Sequence, residues 1–135
     1  MNDSEAKTQL VKGCRYTWQQ VLEATGADGS PPYYLPHAGT TVVAACVTPD
    51  LNPDAPKVIL AGDTKLRKEF ADIFCGQTNA IPVCVKSGDR EWLCHGYFKL
   101  QRPSTDKAEI ADHSARATPK RSDVYKILFL EEVQS

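Results

Sequence analysis

The sequence predicts an α+β domain: a strongly curved or barrel-like sheet, mixed or antiparallel, of about five strands with two packed helices. Three observations carry that reading. Short runs rich in branched and aromatic residues are bounded by Gly and Pro at strand length, as in TTVVAACVT (40–48). Two stretches, WQQVLEA and TKLRKEFADIFC, instead repeat their apolar residues at helical spacing. A chain of 135 residues, 41% hydrophobic and 24% charged, can also bury one real core, since folding at this size removes roughly two-thirds of the accessible surface.

The elements follow in order. Residues 1–15 are polar without periodicity and read as a flexible N-terminal segment, leaving 16–135 as a single domain. Thr17 is an N-cap type ahead of WQQVLEA, which Gly26 ends, and Trp18, Val21 and Leu22 form one apolar stripe facing the core. The turn-rich GADGSPP leads into a loop, Tyr33-Tyr34-Leu35-Pro36-His37, and then into TTVVAACVT as a buried strand. Three prolines in PDLNPDAP forbid regular structure there, and KVIL (57–60) is the next strand. Asp63 is expected to cap the helix over 64–75, whose Leu66, Phe70, Ile73 and Phe74 share a face.

IPVCVK and REWLCHGYFKL flank Ser87-Gly88-Asp89-Arg90, a hairpin signal. With Gly88-Asp89 at the turn, Lys86 would pair with Glu91, Val85 with Trp92 and Val83 with Cys94. That register sets Val83, Val85, Trp92, Cys94 and Phe98 on one face, and Leu93, His95 and Tyr97 on the other. Residues 102–123 hold almost no large apolar residue and read as one long loop. VYKILFLEEV (124–133) is expected to close the sheet.

Charge and cysteine usage narrow the function classes. Sixteen basic against seventeen acidic residues, net −1, argue against a strongly basic nucleic-acid glue or an acidic tail. No apolar run reaches the ~18 residues of a membrane span, and MNDSEAKTQL lacks a signal-peptide profile, so the expected setting is the cytoplasm. Cys14, Cys46, Cys75, Cys84 and Cys94 are odd in number and scattered, with no C-x-x-C. They read as reduced, mostly buried thiols rather than a disulfide framework or zinc site, and no metal or cofactor is implied.

Phosphate-loop, dinucleotide, zinc-protease and nucleophile-elbow motifs are all missing from the chain, which favours binding over catalysis. The binding candidates are rings and cations. Tyr33, Tyr34 and His37 sit on a loop where stacking faces and polar tips could form a rim. His95 and Tyr97 could line a polar pocket from one strand face. Arg116, Lys120 and Arg121 lie within six residues with no acid between them, a pattern suited to phosphate.

The strings YLPHAG, NPDAP ahead of VILAG, and IPVCVK ahead of EWLCHGYFKL resemble the small PUA/SRA-like barrel domains, over residues 30–132. In bacteria such domains accompany modification-dependent restriction nucleases. Where the family has Y-D-G-x-Y, this chain has Cys94-His95-Gly96-Tyr97-Phe98: the Gly agrees, Phe98 keeps an aromatic, and Cys94 and His95 depart. The resemblance implies a curved sheet that holds a flipped or modified DNA base. It would give Tyr33, Tyr34 and His37 a stacking rim, His95 and Tyr97 a pocket wall, and Arg116, Lys120 and Arg121 the phosphates.

The leading expectation is therefore a non-catalytic nucleic-acid-binding module that reads modified DNA bases. The first alternative is an adaptor domain that docks a protein through the long loop or the hairpin edge. The second is a small enzyme with a Cys/His or Tyr/His pocket and a reactive thiol.

Overall fold

The computed structural model describes residues 9–133. It is an α+β fold with three helices, one mixed six-stranded sheet and a separate two-stranded ribbon. The strands are β1 (Arg15–Tyr16), β2 (His37–Ala38), β3 (Thr41–Val42), β4 (Ala45–Val47), β5 (Val58–Gly62), β6 (Ile81–Gly88), β7 (Glu91–Ser104) and β8 (Val124–Glu132). The helices are α1 (Trp18–Thr25), α2 (Lys65–Cys75) and α3 (Lys107–Ala115). The sheet runs β4-β6-β7-β8-β5, with β1 also on β7, and β2 pairs with β3 in the ribbon. Among the described residues β4 and β6 are the one parallel pair. The sheet is open: β4 and β5 end it, and they do not pair with each other.

Local chemistry explains most boundaries. Thr17 and Gln20 form a reciprocal capping box at the start of α1, and Gly26 ends it at φ 78°, where a Cβ would be strained. Thr64 caps α2 in place of the expected Asp63, its hydroxyl accepting from the Arg67 amide. The long loop expected over 102–123 is instead the tail of β7 followed by α3, which Asp106 caps through the Glu109 amide. The N-terminal stretch is also more ordered than its polarity suggests. Leu10 is buried and β1 pairs with β7, while residues 1–8 lie outside the described part.

The hairpin register differs from expectation by one residue. Gly88 pairs with Glu91, Lys86 with Trp92, Val85 with Leu93 and Cys84 with Cys94, so the turn is Asp89-Arg90 with Arg90 at φ 60°. Farther along, β7 spends three steps from Cys94 to Tyr97 where β6 spends two from Cys84 to Pro82, a bulge around Gly96 at φ 110°. Each change flips the faces. Cys94 and Trp92 face α1, whereas Val83, Val85 and Phe98 belong to the other cluster, so the expected common face does not exist.

The core is accordingly two-sided. Phe70 and Phe74 of α2 pack on Ile59, Ile81, Phe98 and Leu128 on one face. On the other, Val21 of α1 covers Leu10, Cys46, Cys84 and Cys94, and Ile110 of α3 covers Val58, Leu60 and Ile127. Both sheet edges are blunted. The Cys46 amide on β4 donates to the Tyr34 carbonyl. On β5, the Leu60 amide donates to Asn52 Oδ1 at 2.8 Å and the Leu60 carbonyl accepts from Arg121 Nη1 at 3.2 Å. Edge groups that are already bonded in this way are not open to a further strand.

Candidate functional site

Three depressions adjoin along one side of the molecule, linked by shared wall residues. The first is aromatic, with a volume of about 550 Å³, within the range of small-ligand sites. Trp18 from the first turn of α1, Tyr33 and Tyr34 from the loop, and Trp92 from β7 line it, with Cys46 and Asn52 among its other walls. The Trp18 and Trp92 ring centroids are 5.9 Å apart, tilted by 47°, and Tyr33 meets Trp18 edge-on at 6.2 Å. Tyr33 remains 58% exposed and Leu51, also on the wall, 43%. The rim is therefore apolar and open.

The second depression, about 370 Å³, shares Tyr34, Leu51 and Asn52 with the first and adds Arg67, Lys120 and Arg121, with Asp123 as its acid. The third, about 470 Å³, shares Lys120, Arg121 and Ser122 with the second and adds Lys107, Thr105 and Ser114. Lys107, Ile110, Ala111 and Ser114 present one helical face of α3 to it. The Ser114 hydroxyl is buried without a hydrogen-bond partner, in a residue only 4% exposed.

The eight residues singled out from sequence divide sharply. Tyr33 and Tyr34 do line one pocket. Tyr34 is also anchored, its phenol donating to the Arg67 carbonyl at 2.7 Å, and burial pushes its pKa up. His37 is not on a rim. It is 4% exposed, stacked on Phe70 at 3.9 Å, with Nδ1 3.1 Å from the Leu35 carbonyl. A carbonyl only accepts, so the proton sits on Nδ1 and the ring is structural.

His95 and Tyr97 form no common wall, because the bulge at Gly96 breaks their alternation. Tyr97 lines a separate hollow with Leu10 and Pro82, its pKa raised chiefly by burial, and His95 lines none of the three depressions.

The basic trio also divides. Arg116 donates to Asp54 at 2.6 Å and Asp112 at 3.1 Å. Arg121 clasps Asp123 through Nε at 2.8 Å and Nη2 at 2.9 Å, and its side chain is 9% exposed. Both cations are committed to internal carboxylates. Lys120 is exposed and makes no ion pair among the described residues, so it is the one of the three placed to meet an outside anion.

Sequence reading missed Trp18 and Trp92 as pocket walls, Lys107 as a cation, and Asn52 as a pocket residue. Both tryptophans looked like core because their spacing fits an apolar stripe, and no pattern reveals that a stripe is only half covered.

Three of the five thiols are held in the protonated form. Hydrogen bonding with neighbouring thiols and burial push the pKa of Cys84 and Cys94 up, and burial raises Cys75. Among the described residues, no group of three or more His, Cys, Asp or Glu is arranged to hold a metal ion. Among the same residues, no helix is long and apolar enough to cross a membrane. Comparison with protein-family models, with curated proteins and with solved structures gave no match.

Proposed function

We propose that this domain is a non-catalytic nucleic-acid-binding module that takes an unstacked base, from a single strand or a flipped nucleotide, into its aromatic pocket. The observation that carries the reading is the shared wall of Tyr34, Leu51 and Asn52, which sets the aromatic pocket directly beside Arg67 and Lys120. A base has a π-face for Tyr33 and the tryptophans, and its phosphate is an anion for the neighbouring cations; stacking platforms beside a cationic groove are how single strands are held. The overall charge of −1 limits long-range attraction, so the contact depends on these local groups. Modified bases are natural guests for a pocket that stacks rather than reads a base-pairing edge, which keeps modified-base recognition within the proposal.

Titration of Trp fluorescence with plain and modified single-stranded oligonucleotides tests it. Binding is expected at low ionic strength, with a log–log salt slope near −2, from about 0.7 per phosphate over roughly three phosphates. Tyr33→Ala should weaken binding at least ~5-fold, the lower end of about 1–3 kcal/mol for one stacked base. Absence of binding even at low salt ends the proposal. The exposed Tyr33 and Leu51 at the rim favour a second reading, an apolar peptide side chain in the same pocket; that binding would be insensitive to salt.

A further inference from the structure

Asn52 is the buried polar residue on the wall between the aromatic pocket and the second depression. It is 6% exposed, and its backbone is held on both sides. The Asn52 amide donates to the Thr48 carbonyl at 3.0 Å, and its carbonyl accepts from the Ala55 amide at 3.1 Å. The side chain is oriented as firmly. Oδ1 accepts from the Leu60 amide at 2.8 Å, and an amide nitrogen cannot take that place, so the group cannot be turned over. Nδ2 is left with two N–H groups and no partner among the described residues. Among the described residues that are not exposed, Ser114 Oγ is the one sealed side-chain oxygen or nitrogen without a partner. Nδ2 is therefore not sealed, and the open spaces that Asn52 borders are those two depressions.

On the base-binding reading of the aromatic pocket, we infer that Asn52 is a specificity-determining residue: its Nδ2 donates to O2, the carbonyl oxygen beside the glycosidic bond of a bound pyrimidine. Position selects the atom. A nucleotide with its ring among Trp18, Tyr33 and Trp92 and its phosphate at Arg67 and Lys120 passes its sugar over the wall that holds Asn52. The base atoms nearest the sugar are then the ones within reach, and in a pyrimidine the acceptor there is O2. Charge agrees. No charged side chain lines the aromatic pocket, and Arg67 and Lys120 next to it already serve the phosphate, which leaves the neutral amide for the neutral carbonyl.

The sense of the contact is fixed by what Asn52 has already spent. With Oδ1 on the Leu60 amide, it cannot form the two-bond pairing by which asparagine reads adenine. The Tyr33 and Thr48 hydroxyls on the same pocket turn to donate or accept, so they select neither class. Guanine sets its own N2 amino donor on the sugar-side edge, against the Asn52 donor. A pyrimidine offers O2 alone there, and its far edge, with C5, stays unread. One hydrogen bond of fixed sense is thus added to a pocket that otherwise stacks.

The test is calorimetric titration of the full chain with short strands carrying a single thymine between abasic sugars. Replacing O2 or O4 of the thymine by sulfur, a poorer acceptor, gives two strands of like shape and stacking. The 2-thiothymine strand should bind at least ~5-fold more weakly than the thymine strand, the lower end for a buried donor left unpaired, and the 4-thiothymine strand within about twofold of it. Asn52→Asp keeps an acceptor for the Leu60 amide and removes the N–H groups. Its charge weakens all three strands alike, and the preference for thymine over 2-thiothymine should vanish, a ratio that altered stability alone does not move. Equal binding of thymine and 2-thiothymine by the wild type, or a preference that survives in Asn52→Asp, overturns the role of Asn52 and leaves the base-binding reading standing. Binding of none of the strands by the wild type overturns both.

Discussion

Replacing Arg121 and Lys120 one at a time separates two uses of the same basic segment. Arg121 makes two hydrogen bonds to Asp123 and one each to the Leu51 and Leu60 carbonyls, both at 3.2 Å. Asp123 is 40% exposed, so solvent screening holds the ion pair to about 0.5–1 kcal/mol. The Leu60 carbonyl is costlier to strand, since Leu60 is 3% exposed and a buried acceptor without a partner costs about 1–3 kcal/mol. Arg121→Ala should therefore destabilise by about 2–3 kcal/mol, a drop in Tm on the order of 10 °C for a domain of this size. Lys120→Ala removes an exposed side chain and should stay within about 0.5 kcal/mol of wild type. Its effect belongs to binding: the salt slope with single-stranded oligonucleotide should shrink by about 0.7. Differential scanning calorimetry and the fluorescence titration measure the two effects. If Arg121→Ala keeps its Tm to within about 2 °C, the internal role assigned to Arg121 is wrong.

Two further predictions rest on buried polar contacts. Asn52→Ala removes the acceptor for the Leu60 amide at 2.8 Å, inside a residue 6% exposed, and should cost about 1–3 kcal/mol in urea unfolding; an unchanged midpoint would show that water replaces the amide. Asp54 is held below the ordinary carboxylate value of ~3.9, first by the Arg116 hydrogen bond, against burial and with help from His113. A depressed folded pKa means the contribution is complete above the unfolded value and is lost as pH falls through the lower folded one. Asp54→Asn should thus be less stable than wild type near neutrality, and the gap should narrow below ~pH 4; a gap constant with pH would exclude this linkage.

The sequence carried those parts of the fold that local chemistry decides. Thr17 and Gly26 bracket α1 because a hydroxyl cap and a left-handed glycine act within one turn. The stripe of Phe70 and Phe74 marked α2 because a helix must bury one face. In contrast, α3 was illegible: KAEIADHSA has one large apolar residue, Ile110, and it forms as a helix because Ile110 closes a cluster with Val58, Leu60 and Ile127.

The candidate site was legible only as Tyr33, Tyr34 and Lys120. Whether a cation faces solvent or a carboxylate depends on Asp54 and Asp123, one distant in sequence from Arg116 and the other adjacent to the loop, and charge counting treats both alike. Composition and spacing determined the fold class, the two amphipathic helices and the main strands, since those follow from neighbours a few residues apart. Tertiary structure alone decided which rings meet, which cations are spent and which thiols align. Those outcomes hang on register, and a single bulge at Gly96 reverses the faces of a strand without leaving any periodic trace.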